Sequence, residues 1–336
     1  MTEPFGDSGA PLLEVEDLEV EFRLRHGVVK AVDGISYRLE QGETLAIVGE
    51  SGSGKTVGVQ AVMGIIDTPP GFVTGGSVRF RGVDLLGVPE KDRRQVRGAR
   101  IAMIFQDALT ALNPVFTVGW QIAEMFRQHR DVTKAEARDR AIELMERVRI
   151  PSARERVDAY PHEFSGGMRQ RVMIAMALAL GPDILIADEP TTALDVTVQA
   201  QIMELLAELQ AETGMGLILI THDLAVVAEV ANRVAVMYAG RIVESGDITD
   251  VYARPAHPYT LGLMRSLARP DVKGERLQPI VGSPPDLLNI PPGCAFHPRC
   301  PYARDLCRSE IPPQVPVLDG RTSACHFTEE VLARGS

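Results

Sequence analysis

The feature that most constrains this chain is the stretch from Phe164 to Asp195. It reads Phe-Ser-Gly-Gly-Met-Arg-Gln-Arg, continues as an apolar helix-like run, and ends Ile-Leu-Ile-Ala-Asp-Glu-Pro-Thr-Thr-Ala-Leu-Asp. A Ser-Gly-Gly turn opens a helix, and a buried strand follows that stops at two carboxylates, Asp188 and Glu189. In a doubly wound sheet the carboxyl end of a strand is the ligand edge. The amino end of a helix presents free N–H groups and a positive dipole, which suit an anion. The pattern predicts an α/β fold and a phosphate-bearing ligand gripped from two sides by two protein molecules.

A second segment fixes the other half of that chemistry. Thr44–Val48 is a short apolar run, as a buried strand would be, and it leads into Gly49-Glu50-Ser51-Gly52-Ser53-Gly54-Lys55-Thr56. This fits G-x-x-x-x-G-K-[ST], with a strand before and a helix after. The glycines let backbone N–H groups curl around phosphates, Lys55 reaches the β- and γ-phosphates, and Thr56 ligates Mg²⁺. Beside such a loop, Asp188 reads as a Mg²⁺ ligand and Glu189 as the group that polarises the attacking water.

The rest of the chain organises around these two points. Leu13, Val15, Val20 and Phe22 alternate as a strand does, Ile35–Leu39 is another strand, and residues 71–76 read as loop. Between Gln121 and Ile150 apolar residues recur at helical spacing, with Thr133 and Glu136 placed as a capping box. Strands then alternate with helices to about Tyr238, which implies a parallel sheet with crossovers. Past about Asp250 prolines crowd together and all four cysteines appear: Cys294, Cys300, Cys307 and Cys325.

With 336 residues, 45% of them apolar, the chain has ample material for about two domains. A formal charge of -10 argues against nucleic acid as the main partner. No apolar stretch reaches the ~18 residues of a membrane span, and no signal peptide is visible. A cytoplasmic chain is the expectation, and in that compartment the cysteines point to a metal rather than to disulfides.

Together these residues resemble the ATP-binding-cassette ATPases. Ser165-Gly166-Gly167 is similar to that family's signature, Gln106 to its Q-loop glutamine, Ala193-Leu194-Asp195 to its D-loop and His222 to its switch histidine, in family order. Phe164 and Met168 depart from the common signature, while its Ser-Gly-Gly part is intact. The resemblance implies a P-loop ATPase core over residues 12–250, with an N-terminal β subdomain and a helical subdomain at about 107–180. It implies Mg²⁺ held by Thr56, Gln106 and Asp188, and hydrolysis by Glu189 with His222 and Gln106. Ser165, Gly166 and Gly167 act on a partner's ATP, and Asp195 reports across the dimer. An aromatic at the adenine is also implied, with Phe22 as the choice and His26 as its rival.

The likeness narrows in Tyr160-Pro161-His162-Glu163-Phe164, in Arg254-Pro255-Ala256-His257-Pro258-Tyr259-Thr260 and in the segment from Gly293 to Pro301. These resemble the oligopeptide/dipeptide importer ATPases, closest to the D-type subunit. The implied partners are a homologous second ATPase subunit, two transmembrane permease subunits and an extracytoplasmic solute-binding protein, with no nucleic acid. The implied place is the cytoplasmic face of the inner membrane, and the implied solute a di- or oligopeptide. Nickel complexes, oligosaccharides and a soluble non-transport ATPase are the alternatives. A loop-rich extension over 251–330 completes the chain. Its spacing, C-x5-C-x6-C-x17-C, lacks the short knuckles usual for zinc. Four thiolates on irregular loops suit a [4Fe–4S] cluster better, with zinc as the alternative and His297 and His326 as possible replacement ligands.

Overall fold

The computed structural model describes residues 9–107, 111–192, 194–266, 279–317 and 320–334. The chain divides into two compact units, one of residues 1–40, 44–87 and 221–336, the other of residues 41–43 and 88–220.

The first unit opens with β1 (Leu13–Leu24) and β2 (Gly27–Leu39), then β3 (Thr44–Val48), helix α1 (Lys55–Met63), β4 (Gly71–Phe80) and the short β5 (Val83–Asp84). β1, β2, β4 and β5 form an antiparallel sheet in the order β2-β1-β4-β5. Leu13, Val15, Leu18 and Val20 of β1 point inward and are fully buried. The glycine-rich segment 71–76, expected as loop, is the first part of β4. Here glycine serves close packing. A Cβ on Gly71 would stand 2.4 Å from Ile66 and 2.9 Å from Phe22, and Gly76, at φ +85°, sits where the β1–β4 register shifts.

The second unit contains α2 (Glu90–Val96), β6 (Ile101–Ile104), α3 (Val118–His129), α4 (Lys134–Arg147), the one-turn α5 (Ala153–Arg156), α6 (Gly166–Leu178), β7 (Ile184–Asp188), α7 (Val196–Thr213) and β8 (Gly216–Thr221). β6, β7 and β8 run parallel and are buried throughout, apolar up to the terminal Asp188 of β7 and Thr221 of β8, as strands covered on both faces are. The α4 start carries the expected capping box, with Thr133 Oγ1 accepting from Glu136 N and the Glu136 carboxylate accepting from Thr133 N. Arg171, buried in α6, donates to Val148 O at 2.9 Å and so ties α6 to the end of α4.

The chain then re-enters the first unit through α8 (Leu224–Val230), β9 (Arg233–Tyr238), β10 (Arg241–Asp247), α9 (Ile248–Ala253) and α10 (Pro258–Arg265). The tail adds α11 (Asp305–Ser309), β11 (Val315–Pro316), β12 (Thr322–Ser323) and α12 (Thr328–Arg334). β3 pairs with β9 in parallel, β9 with β10 antiparallel, and β12 and β11 continue outward from β10. Tyr259 and Phe296 join a core cluster with Ala46, Val48, Val236 and Tyr238, and Cys294 and Cys300 pack against it. A buried ion pair pins the tail as well. Arg321 Nη2 donates to Glu244 Oε1 at 2.8 Å, while the same carboxylate accepts from Ala256 N and His257 N. Burial pushes the Glu244 carboxyl up, and these hydrogen bonds oppose that push.

Candidate functional site

The phosphate-loop residues lie between β3 and α1 of the first unit. Two of its glycines are dictated by space. A Cβ on Gly49 would come within 2.2 Å of Met237 O, and one on Gly54, at φ +99°, within 2.2 Å of Ala31 O. Lys55 is buried, and its ammonium donates back to Gly49 O at 2.8 Å and Glu50 O at 3.0 Å. Ser53 is buried, and its carbonyl accepts from Gly240 N at 2.9 Å. Ser51 and Gly52 form the exposed crest, and Thr56 follows on the first turn of α1. The loop is thus curled around its own lysine, with Lys55 Nζ on the loop's carbonyls.

The acidic strand end lies in the second unit. Asp188 is the last residue of β7 and is 2% exposed. Glu189 follows at φ +45°, a left-handed conformation uncommon for a side-chain-bearing residue and concentrated at functional sites. Its carboxylate is held from two sides, since Gln106 Nε2 and Thr192 Oγ1 each donate to Oε2 at 2.9 Å. Its backbone N donates to Ile220 O on β8. Gln106 stands two residues beyond β6, so adjacent parallel strands deliver Gln106 and Glu189 to one place. Thr192 was not among the residues singled out from the sequence, and only its seat in the Asp-Glu-Pro-Thr-Thr turn hints at it.

The signature opens α6 in the same unit. Ser165 is its N-cap, with Oγ accepting from Met168 N at 3.3 Å. Gly166 and Gly167 are the first helical residues. A Cβ on Gly167 would lie 2.6 Å from Val198 Cγ1, so only glycine lets the start of α7 approach this closely. Asp195 caps α7, accepting from Val198 N at 3.0 Å. Ala193, the first residue of the D-loop-like triplet, lies outside the described residues. His222 is exposed just after β8 and belongs to the first unit. Phe22 is half-buried in β1 against Gly71, whereas His26 is exposed at the turn between β1 and β2.

The four cysteines come together in the first unit. Cys294, Cys300, Cys307 and Cys325 line one small cavity, with Phe296 and Phe327 among its walls. None is in a disulfide. Burial raises the Cys294 thiol and pushes Cys300 up to about 11 and Cys325 up to about 12, so without a cation these groups are neutral. His297 Nδ1 lies 3.0 Å from Cys294 O and His326 Nε2 3.0 Å from Glu310 O, so each ring has one nitrogen on a carbonyl. Among the described residues no three His, Cys, Asp or Glu side chains stand close enough to grip a single ion.

Residues 32–192 match the family described as ABC transporter, and residues 243–307 that described as oligopeptide/dipeptide transporter, C-terminal region. The dipeptide transport ATP-binding protein DppD of Escherichia coli is 52% identical over 94% of this chain and 96% of its own length. Its Haemophilus influenzae namesake is 53% identical over 94% and 95%. The oligopeptide transport ATP-binding protein OppD of Bacillus subtilis is 53% identical over 92% and 86%. Among solved structures, the dimeric bacterial ABC transporter cassette MJ0796 superposes with a TM-score of 0.63 at 26% identity, covering 70% of this chain and 98% of that one. The protein cbiO1 of Clostridium perfringens, part of an ABC transporter complex, gives 0.62 at 30%, covering 72% and 91%. The chain belongs to the ATP-binding-cassette transporter ATPases. It carries, in addition, the C-terminal region that marks the oligopeptide/dipeptide branch of that family, and its nucleotide is ATP with Mg²⁺. Among the described residues no helix is long and apolar enough to cross a membrane.

Proposed function

We propose that this chain is the ATP-hydrolysing subunit of an importer for dipeptides or oligopeptides. What carries the reading is the near-complete match, at about half identity, to ATPases named for dipeptide and oligopeptide transport, together with a tail of the same branch. The chain pairs with a homologous second ATPase and works on the cytoplasmic face of the membrane. Its partners there are two permease subunits, fed by an extracytoplasmic solute-binding protein. Residues 12–250 form the ATPase domain, with a helical subdomain over about 107–180, and residues 251–330 form the extension. Two apolar features support the pairing. Val196, at the first turn of α7 beside Asp195, is 83% exposed, which suits a surface covered by the second ATPase. Phe116 and Trp120 stack at 4.1 Å with both rings exposed, next to an exposed Val115, and suit a helix of a permease.

The roles follow from chemistry. Gly49–Thr56 wraps the phosphates, Lys55 neutralises them, and Thr56, Asp188 and Gln106 serve Mg²⁺. Glu189 accepts a proton from the attacking water, with His222 beside the γ-phosphate. Ser165, Gly166 and Gly167 address the ATP of the second subunit, and Asp195 relays its state. Phe22, or His26 at its exposed turn, faces the adenine. Hydrolysis of this kind is mostly positioning and charge stabilisation, and Gln106 and Thr192 already orient the Glu189 carboxylate.

For the four thiols of the cysteine cavity, which His257, His297 and His326 also line, we favour a [4Fe–4S] cluster over zinc because the cysteine spacing lacks the short knuckles usual for zinc. When bound, the group would hold the four cysteines as a cross-link between the loops of the tail. Reconstitution with the permeases and a dipeptide-loaded binding protein tests the main reading. Dipeptide should stimulate ATP hydrolysis and uptake. Stimulation by a nickel chelate or an oligosaccharide, with none by peptide, would move the solute to that class.

A further inference from the structure

The phosphate loop is held from the cysteine-bearing tail. Arg299, one residue before Cys300, places Nη1 2.5 Å from Glu50 Oε2 and Nη2 2.9 Å from Glu50 Oε1. This two-point fork is the strong, geometrically selective form of a charge pair. The Arg299 side chain is 5% exposed. Its guanidinium lies 5.8 Å from the Tyr238 ring centre and 5.9 Å from that of Phe296, and Nη1 also donates to Tyr238 Oη at 3.3 Å. The same loop residue is gripped again through its backbone, since Glu50 N donates to Tyr259 Oη at 2.8 Å. Tyr259 is itself fully buried. Pro284–Leu288 of the tail lines one cavity with Glu50–Ser53 and Val29. The tail therefore reaches the loop by side chain, by backbone and as a wall.

We propose that Arg299 is a positioning residue for ATP, holding Glu50 and through it the curvature of the phosphate loop. Glu50 O and Gly49 O are the carbonyls that carry Lys55 Nζ, so the residue Arg299 clamps is one of the two that seat the lysine. A loop whose curvature is set before ATP arrives loses less freedom on binding, and the gain is in affinity. Burial sharpens the dependence on one side: the Glu50 side chain is 28% exposed and that of Arg299 5%, so removing the Glu50 charge leaves a buried guanidinium uncompensated.

The proposal rests on Gly49–Thr56 being the ATP phosphate site, and the test separates the two. In the purified full-length chain, ATP hydrolysis and binding of a fluorescent ATP analogue are measured for Arg299→Gln, Glu50→Gln, the double variant, Arg299→Lys and Lys55→Ala. Each single Gln variant should raise KM for ATP by about 5- to 10-fold with kcat within about twofold. The double variant should be no worse than the worse single one, as coupled partners require. Arg299→Lys should recover part of the affinity, and it serves as the readout if Arg299→Gln does not fold. Wild-type KM in Arg299→Gln, or in Arg299→Lys if that variant stands in for it, would overturn the clamp. So would penalties that multiply in the double variant, or a loss confined to kcat. If Lys55→Ala binds ATP like wild type, the phosphate-loop reading fails and the clamp fails with it. If Lys55→Ala loses ATP while Arg299→Gln keeps it, only the clamp fails.

Discussion

Gln106 and Glu189 meet across adjacent parallel strands, with Gln106 Nε2 donating to Glu189 Oε2 at 2.9 Å. The amide does not neutralise the carboxylate. It orients it, and Thr192 Oγ1 donates to the same oxygen from the other side at 2.9 Å. A carboxylate held in one orientation suits the general-base role proposed for Glu189.

Glu189→Gln should lower the ATPase rate by about 10²- to 10⁴-fold, the usual contribution of a positioned base, while ATP still binds. Size-exclusion chromatography with ATP and Mg²⁺, alone and with the second ATPase, should show accumulated dimer. Normal turnover would sink the assignment.

Gly54→Ala should destabilise the first unit and abolish ATP binding. The new Cβ would meet Ala31 O at 2.2 Å from a backbone at φ +99°, so strain and overlap add to a cost of roughly 2 kcal/mol or more. Thermal denaturation without nucleotide reports the first effect and analogue binding the second. Gly52→Ala separates the causes, since a Cβ there meets nothing within 4 Å and only the φ of +78° is strained.

Arg321→Met should cost about 3–5 kcal/mol, because it leaves the Glu244 carboxylate buried without its cation. Adding Glu244→Gln should return part of the loss. Chemical denaturation of both variants checks the order, and a double variant less stable than Arg321→Met would contradict it.

Trp120→Ala should leave the ATPase rate of the isolated chain within about twofold. The ring is 42% exposed and stacks mainly on Phe116. In the reconstituted importer the same change should weaken stimulation by the permeases. Equal stimulation in mutant and wild type would place docking elsewhere.

Much of this was legible in sequence because it is local. The phosphate loop, the Ser-Gly-Gly helix start, the Thr133–Glu136 box and the acidic end of β7 are each written within a dozen residues, and helix and strand periods frame them. Glycine misled at residues 71–76. There it reports close approach of β4 to Phe22 and Ile66, and only the pairing with β1 reveals a strand. The Arg299–Glu50 clamp was invisible for another reason. Its partners are 249 positions apart, and no pattern within either segment names the other. Thr192 lay in plain view within an Asp-Glu-Pro-Thr-Thr turn, but its hydroxyl's direction is a property of the fold.

The tail strand β12 pairs with β10, and β11 outside it is two residues long and carries Pro316. A short outer strand with a proline is a poor template for another chain. Cut the protein after about Asp250, as one would to isolate the cassette, and β10 becomes the new border of the sheet, lined by Ile242 and Val243. Such a fragment should precipitate before it can be assayed, so the extension acts as the protein's own solubility guard and cannot be trimmed for convenience.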